Sequence, residues 1–477
     1  MFNQVVGFLN DIIWSNWLVY LCLGAGLVFS VWMKFPQLRL IKDMVTHLVS
    51  GGDSKSGVTS FQSFAMALGG RVGTGNIAGV ATAIGFGGPG AVFWMWAIAF
   101  LGAGSAYIES ALAQVYKEEN DGEYRGGPSY YIEKGLGHRW YAVLFAFSAV
   151  LSCGFFLPGI QANSIASAFD HAFNVPTAVT GGIVAALLGL IIFGGVKRIG
   201  KVAEIIVPFM AIAYILVAIV IIVVNIQQVP AVFSLIFSHA FSSKAATGAV
   251  VGQAIMWGVR RGIYSNEAGQ GTGPMAAAAA EVSHPAKQGL VQAFSVYVDT
   301  LFVCSATAFM ILITGSYNIY DQSREILVEN MPEVTPGPAF TQASVDTFMP
   351  GFGGSFVAIA LFFFAFSTLL AYYYYAESNI AYMTRGMKNK KTFFLVTRIT
   401  LLVMTFIGSV NTAGAVWDLG DVGVGMMAWL NIVAILLLSK TGIATLRDYE
   451  AQKKQGIDPV FNPEALGIKN ADFWMNR

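Results

Sequence analysis

Long apolar runs, separated by short stretches rich in lysine, arginine and acidic residues, set the pattern of this chain. A helix needs about 20 mostly apolar residues to cross the hydrocarbon core of a bilayer. By that measure the pattern predicts about eleven spans. They run near residues 17–33, 57–84, 89–115, 139–173, 175–195, 200–224, 245–283, 285–315, 349–376, 392–411 and 414–439. The first run leads into Lys34, Phe35 and Pro36 with no small-residue cleavage site, so it reads as a retained span and not as a signal peptide. Segments 36–50 and 228–243 read as amphipathic helices on the membrane surface.

The basic residues orient these spans. With the N-terminus outside, the inside segments hold Lys34, Arg39, Lys42 and Lys55, then Lys117, Arg125, Lys134 and Arg139. They continue with Lys197, Arg198, Lys201, Lys287, Arg385, Lys388, Lys390 and Lys391, and the tail adds Lys440, Arg447, Lys453, Lys454, Lys469 and Arg477. Outside lie Lys244 and Arg324, a ratio of about 22 to about 2 that follows the positive-inside bias. The expected architecture is an all-α polytopic membrane protein of the cell (inner) membrane, N-terminus outside and C-terminus cytoplasmic.

Composition narrows the function classes. Hydrophobic residues make up 55% of the chain and charged residues 12%, against about 25% charged in soluble domains. So few charges cannot coat a water-exposed globule, which argues against a soluble enzyme. A net charge of +1 offers no footprint for nucleic acid. Cys22, Cys153 and Cys304 lie in apolar surroundings with no CxxC pair, so neither disulfides nor a zinc site is implied. His47, His138, His171, His239 and His284 are scattered and read as surface or interfacial residues, and Phe93, Trp94 and Trp96 as lipid-facing packing. An intramembrane enzyme would need a nucleophile–base pair or metal cluster, and no such grouping stands at usable spacing.

Two spans carry polar, glycine-rich interruptions. Span two holds Gly69-Gly70-Arg71-Val72-Gly73-Thr74-Gly75-Asn76, and span seven holds Gly258-Val259-Arg260-Arg261-Gly262 followed by the run Ser265 to Pro274. Glycine inside a helix costs about 1 kcal/mol relative to alanine. Clustered with polar residues it predicts unwinding, which a bilayer tolerates where the released backbone lines a cavity. One such cluster alone would read as close helix packing. Two, five spans apart, place the halves in opposite orientations, so spans two to six and seven to eleven form an inverted pair. That is the sequence pointer to a secondary transporter with its site at the midplane. The corresponding division is 1–56 (extra N-terminal span and amphipathic segment), 57–227 (first repeat), 228–440 (second repeat with surface helix and external loop) and 441–477 (cytoplasmic tail).

Unwound peptide carries its own chemistry. N–H groups around Gly73, Thr74 and Gly75, at a half-helix N-terminus, can point at a carboxylate. Carbonyls of Gly69 and Val72 face the other way, as hard oxygen ligands for a small alkali cation. Ser367 and Thr368, following the run Phe362 to Phe366, offer hydroxyls to complete the shell if they face the break; elsewhere such hydroxyls more often bond back to their own helix carbonyls. The string Gly73, Gly75, Ala78 superficially fits a dinucleotide fingerprint, but no strand or βαβ unit surrounds it.

The run Gly87-Gly88-Pro89-Gly90-Ala91-Val92-Phe93-Trp94-Met95-Trp96-Ala97 resembles the signature of the alanine or glycine:cation symporter family. Ser265-Asn266-Glu267-Ala268-Gly269 followed by Gly271, and Cys153-Gly154-Phe155 leading to Gln161-Ala162-Asn163-Ser164, are similar to further motifs of that family. The resemblance covers residues 17–445. It implies a symporter of small neutral amino acids (alanine, glycine) coupled to Na⁺, with no organic cofactor. It also implies the five-plus-five inverted repeat of neurotransmitter:sodium symporters, preceded by one extra helix. Carried over by residue, the substrate carboxylate falls at Gly73, Thr74 and Gly75 with Asn76 supporting, and the amino end near Gln161 and Thr368. Sodium falls on the backbone of Gly69 and Val72, the carbonyl of Phe364, and Ser367 and Thr368. Tyr372 stands where many relatives carry tryptophan and shapes the side-chain pocket. Arg71 takes the place of a second cation, leaving one Na⁺ per substrate; the alternative is an ion pair with Glu267 or Asp299. The acids Glu109, Glu204, Glu281, Glu377, Asp418 and Asp421 could relay protons, but most are expected near helix ends or paired with Arg260, Arg261 or Arg398. Alternative functions are a proton-coupled amino-acid transporter and an amino-acid-permeable channel.

Overall fold

The computed structural model describes residues 2–49, 56–241, 248–321 and 323–475; Lys55, Lys244 and Arg477 of the charge count lie outside these. Among the described residues, eight helices are long and apolar enough to cross a membrane: Gln4–Trp32, Gly90–Val115, Arg139–Phe173, Gly195–Val224, Pro285–Thr314, Gly353–Met383, Lys390–Val410 and Ala413–Leu437. A shorter apolar helix, Thr177–Ile192, is the fifth crossing. Spans two and seven are each two pieces, Ser60–Arg71 with Gly75–Gly87 and Gly248–Asn266 with Gly273–Ala279. Among the described residues, the eleven expected runs thus appear as eight long apolar helices, one shorter helix and two interrupted ones.

Local chemistry sets several ends. Span two opens with a capping box, in which Thr59 and Gln62 satisfy each other's backbone N–H groups. Span one begins well before residue 17, as a helix Phe2–Ile13 that meets Asn16–Trp32 at a bend. The bend is tied to span eleven: Trp14 Nε1 donates to the Asp421 carbonyl at 2.8 Å, and Trp429 Nε1 to that of Ile13 at 2.9 Å.

Span eight is the most enclosed, followed by spans three, nine and eleven, while spans six and ten turn much of their apolar surface outward. Small residues let helices approach closely. A Cβ on Gly408 would stand 2.2 Å from the Gly159 Cα, so spans ten and four touch through bare backbone. Phe93 and Trp96, read from sequence as lipid-facing, instead pack beneath the helix Val229–Ala240, with ring centroids 5.5 Å from Phe237 and 6.1 Å from Phe233. Segment 316–346 holds a hairpin (Asn318–Tyr320 with Ile326–Glu329) and the start of a helix, Pro338–Phe348.

The tail is part of the fold. After the helix Ser439–Lys454 it returns across the end of the bundle that carries the basic connections. There Lys287 pairs with Asp458 at 2.6 Å and Trp474 Nε1 donates to the Gln114 carbonyl at 2.8 Å. Two histidines expected at the surface are buried by this packing. His284 caps span eight by accepting from the Ala286 N–H at 3.1 Å and faces Asp448. His47 meets the Tyr449 hydroxyl at 2.6 Å, and burial pushes its pKa down to about 4.

Candidate functional site

The break in span two is shorter than its glycine string. Gly69 and Gly70 stay in the helix Ser60–Arg71; only Val72 and Gly73 leave it, and Thr74 starts the next turn. The two glycines serve close approach. A Cβ on Gly69 would meet Val207 at 3.0 Å, and one on Gly70 the Tyr375 hydroxyl at 2.6 Å. Beyond the kink, residues Gly75–Gly79 form a wide π-helical turn, a feature that recurs at functional sites.

The released N–H groups find side-chain acceptors. Gly73 N donates to Asn76 Oδ1 at 2.8 Å, and Thr74 N to Gln161 Oε1 at 3.1 Å. The Thr74 hydroxyl donates to the same Gln161 oxygen at 2.8 Å, while Gln161 Nε2 reaches Tyr264 at 3.3 Å. An amide oxygen from span four therefore sits against the donors that suit one oxygen of a carboxylate. Thr368 closes the same spot from span nine, since a Cβ on Gly73 would lie 2.4 Å from its Oγ1 and 3.1 Å from Gln161 Oε1. Tyr372, one turn further along span nine, is buried with its ring 6.4 Å from that of Tyr375.

Four oxygens converge just before the kink. The Gly69 carbonyl accepts from Thr368 Oγ1 at 2.8 Å and Ser367 Oγ at 3.3 Å. The same hydroxyls lie 3.0 and 2.9 Å from the Phe364 carbonyl of their own helix, so each can turn its one hydrogen either across to Gly69 or back along span nine. Two carbonyls and two hydroxyls thus meet where the first half of span two touches span nine. Val72, the remaining residue of the expected ion set, is buried at the turn.

The break in span seven is longer and differently made. Gly258 to Gly262 remain helical: a Cβ would fall 2.5 Å from the Ala91 carbonyl at Gly258 and 2.4 Å from Ile98 at Gly262, so these glycines let span seven lie on span three. The chain leaves the helix after Asn266 and resumes at Gly273. Between them Glu267, Gly269 and Gly271 take left-handed backbones, with φ of 55°, 81° and 90°. Distant residues hold this loop. Gly269 N donates to Glu109 Oε1 at 3.2 Å, and Asn431 Nδ2 reaches the Gly269 carbonyl at 2.9 Å and Glu109 Oε2 at 2.7 Å. Tyr131 donates in turn to Asn431.

Arg71 joins the two breaks. Its Nε donates to the Asn266 carbonyl at 2.6 Å, and Nη1 to Gln292 Oε1 at 3.1 Å and to Ser295. Among the described residues it has no carboxylate within ion-pair distance, so the expected alternative of a pair with Glu267 or Asp299 is not formed. Asp299 has another task. It accepts from Asn76 Nδ2 at 2.6 Å, Ser265 Oγ at 3.0 Å and Thr300 Oγ1 at 2.7 Å, linking span eight to both breaks. Its assembling role, and those of Asn431 and Tyr131, escaped sequence reasoning. The available signal was an acid in the interior of an apolar run, costly unless employed.

Other acids find the partners their positions suggest. Asp421 pairs with Arg260 at 2.7 Å and Arg261 at 2.6 Å, and the Arg261 guanidinium lies 4.6 Å from the Trp417 ring. Glu377 lies 3.6 Å from Arg398, Glu204 accepts from Gln62 at 3.0 Å and Glu281 from Tyr124 at 2.7 Å. Asp418 stays close to Asn10, 3.5 Å away. Glu109 departs from expectation, being deep in span three with amide donors in place of a basic partner.

A sequence model of the sodium:alanine symporter family matches residues 1–463. The chain belongs to that family. It is similar to YrbD of Bacillus subtilis (strain 168), 60% identical over 98% of this chain and 97% of that protein. It is also similar to the sodium/proton-dependent alanine carrier protein of Bacillus sp. (strain PS3), 53% identical over 91% of this chain and 97% of the carrier. The fold is similar to that of MhsT, crystallised with L-phenylalanine, at a TM-score of 0.55 and 15% identity over 83% of this chain and 99% of MhsT. The family is one of transporters, and the chain is a multi-pass membrane protein and not an enzyme.

Proposed function

We propose that the protein imports a small neutral amino acid, alanine or glycine, together with Na⁺ by alternating access. The observation that carries this reading is the meeting of two unlike atom sets at one kink. Donors at Gly73 and Thr74 suit a carboxylate, and beside them the oxygens of Gly69, Phe364, Ser367 and Thr368 suit an uncharged shell for a hard cation. The name of the carrier from strain PS3, with both alanine and sodium in it, supports the same pairing.

The residues divide the work. Gly73, Thr74 and Gly75 take the carboxylate, with Asn76 holding the kink open through Gly73. Gln161 covers the Thr74 donors until substrate displaces it; its amide oxygen then turns to the ammonium, with Thr368 beside it. Na⁺ takes Gly69, Val72, Phe364, Ser367 and Thr368, and so draws span two and span nine together. Because that cation steadies the segment that holds the carboxylate, each ligand raises affinity for the other by the same factor. Arg71 fills the space of a second cation, giving one Na⁺ per substrate. Spans two to six and seven to eleven act as inverted repeats, in which spans two, three, seven and eight rock against the remainder. The basic connections face the cytoplasm, the N-terminus lies outside, and Arg260 and Arg261 with Asp421 close the outer side.

Radiolabelled alanine uptake into proteoliposomes, with Na⁺, K⁺ and pH gradients imposed separately, tests the proposal. The expected result is saturable uptake that an inward Na⁺ gradient drives uphill with a Hill coefficient near one. Uptake proportional to concentration without limit would identify a pore, and indifference to Na⁺ would remove the cation assignment.

A further inference from the structure

The returning tail closes one wall of a basic cleft of about 450 Å³. Residues 466–470 form that wall, and the others are Tyr116 at the end of span three, Lys134 before span four, and Lys440 and Thr441 in the helix Ser439–Lys454. Three separate elements thus bring a lysine each (Lys134, Lys440 and Lys469), and no acidic residue lines the cleft. Lys134 is already engaged, pairing with Glu118 and with Asp472 of the tail, each at 2.9 Å. Lys440 and Lys469 form no ion pair among the described residues. Hydroxyls complete the lining, since Tyr116, 3% exposed, hydrogen-bonds Thr441.

The backbone on either side of the cleft is held. Next to Lys469, Ile468 is buried and Asn470 Nδ2 donates to the Lys134 carbonyl at 2.9 Å. Near Lys440, Leu438 packs so closely on Gly135 that a Cβ there would stand 2.8 Å from it. Ammonium groups brought into one cleft repel each other, and the chain offers Lys440 and Lys469 no counter-charge. Ammonium and hydroxyl donors without a competing carboxylate suit an anion with several oxygens, for which lysine acts as a point-charge ligand. The position adds a source. Lys440 stands three residues beyond Leu437, the end of span eleven, which is 63% exposed. Headgroup phosphates lie where a span leaves the hydrocarbon, and basic pockets at that level bind them.

We propose that this cleft binds a phosphate-bearing anion between Lys440 and Lys469, and that the bound group fastens the tail to the helix following span eleven. The site stands apart from the symport reading. Its ligand chemistry is shared by an anionic phospholipid headgroup and by free phosphate, and the two arms of the test separate these sources.

The full-length protein is titrated in phosphatidylcholine nanodiscs, in one arm with phosphatidylglycerol, read by native mass spectrometry, and in the other with radiolabelled inorganic phosphate, read by equilibrium dialysis. Three forms are compared: the native chain, Lys440→Gln with Lys469→Gln, and a control of equal charge change, Lys388→Gln with Lys391→Gln, at exposed positions between spans nine and ten. The native protein is expected to bind about one equivalent of at least one probe, the cleft variant to bind it about 30-fold more weakly, and the control to match the native chain. Lysine-dependent binding of phosphatidylglycerol alone assigns a lipid, and of inorganic phosphate alone a soluble anion; either supports the site. Binding of neither probe by the native protein overturns the proposal whether or not the variants fold. Equal affinity in the cleft variant also overturns it, as does an equal loss in the control, which would mark diffuse surface charge. At a probe concentration ten times its Kd, hydrogen exchange across residues 466–470 is expected to slow about tenfold. Unchanged exchange there would overturn the fastening of the tail.

Discussion

In span two, two residues leave the helix and neither takes a left-handed backbone, whereas in span seven the whole stretch from Glu267 to Thr272 leaves it and three positions are left-handed. The partners differ too. The span-two kink is held by side chains that can swing away, Asn76 on Gly73 and Gln161 on Thr74. The span-seven loop is held at Gly269 through both its N–H and its carbonyl, by Glu109 and an Asn431 that Tyr131 orients. A pair of broken helices in one transporter therefore need not be equivalent halves of a site. One exposes exchangeable backbone donors, and the other supplies a shaped frame.

If the span-two kink is the exchangeable side, filling it must stop transport. Gly73→Ala, whose methyl would overlap Thr368 and crowd Gln161, is expected to lower Na⁺-driven alanine uptake by about 100-fold, since small misplacements in a positioned site have that scale. Near-native uptake would move the substrate elsewhere. If span seven is the frame, its damage shows as stability. Gly271→Ala demands φ of 90° from a residue with a Cβ and sets that atom 2.8 Å from Pro128 and 2.9 Å from Phe145. A loss of about 2 kcal/mol is expected, in line with overpacking, read as a lower unfolding midpoint in detergent. An unchanged midpoint would break the contrast between the two loops. The smallest effect sharpens the ion assignment. Thr368→Ala should weaken apparent Na⁺ affinity about tenfold, the scale of one good hydrogen-bonding group, and Thr368→Ser should restore it; equal Na⁺ dependence in all three would clear Thr368 of the role.

Much of this was legible in the residues. Run length identified the crossings because desolvating a helix is a property of the segment alone. The glycine strings marked both interrupted spans but overstated the breaks. Gly69 and Gly70, like Gly258 and Gly262, are helical, and their missing side chains admit neighbours. A glycine that unwinds a helix and one that lets two helices touch are the same letter; the neighbour's distance separates them. His47 and His284 were misjudged for a related reason, being buried by a tail whose return path no local pattern describes.

The apolar helices, the two interruptions and the family followed from the chain's own order of residues, since hydrophobic length, helix-breaking residues and motifs are local. Which donors reach Glu109 and Asp299, and which oxygens gather at Gly69, was decided by elements far apart in the chain. In a medium of low dielectric the state of a polar group depends on the few atoms that touch it, and those come from the packing of spans three, eight, nine and eleven around the two kinks.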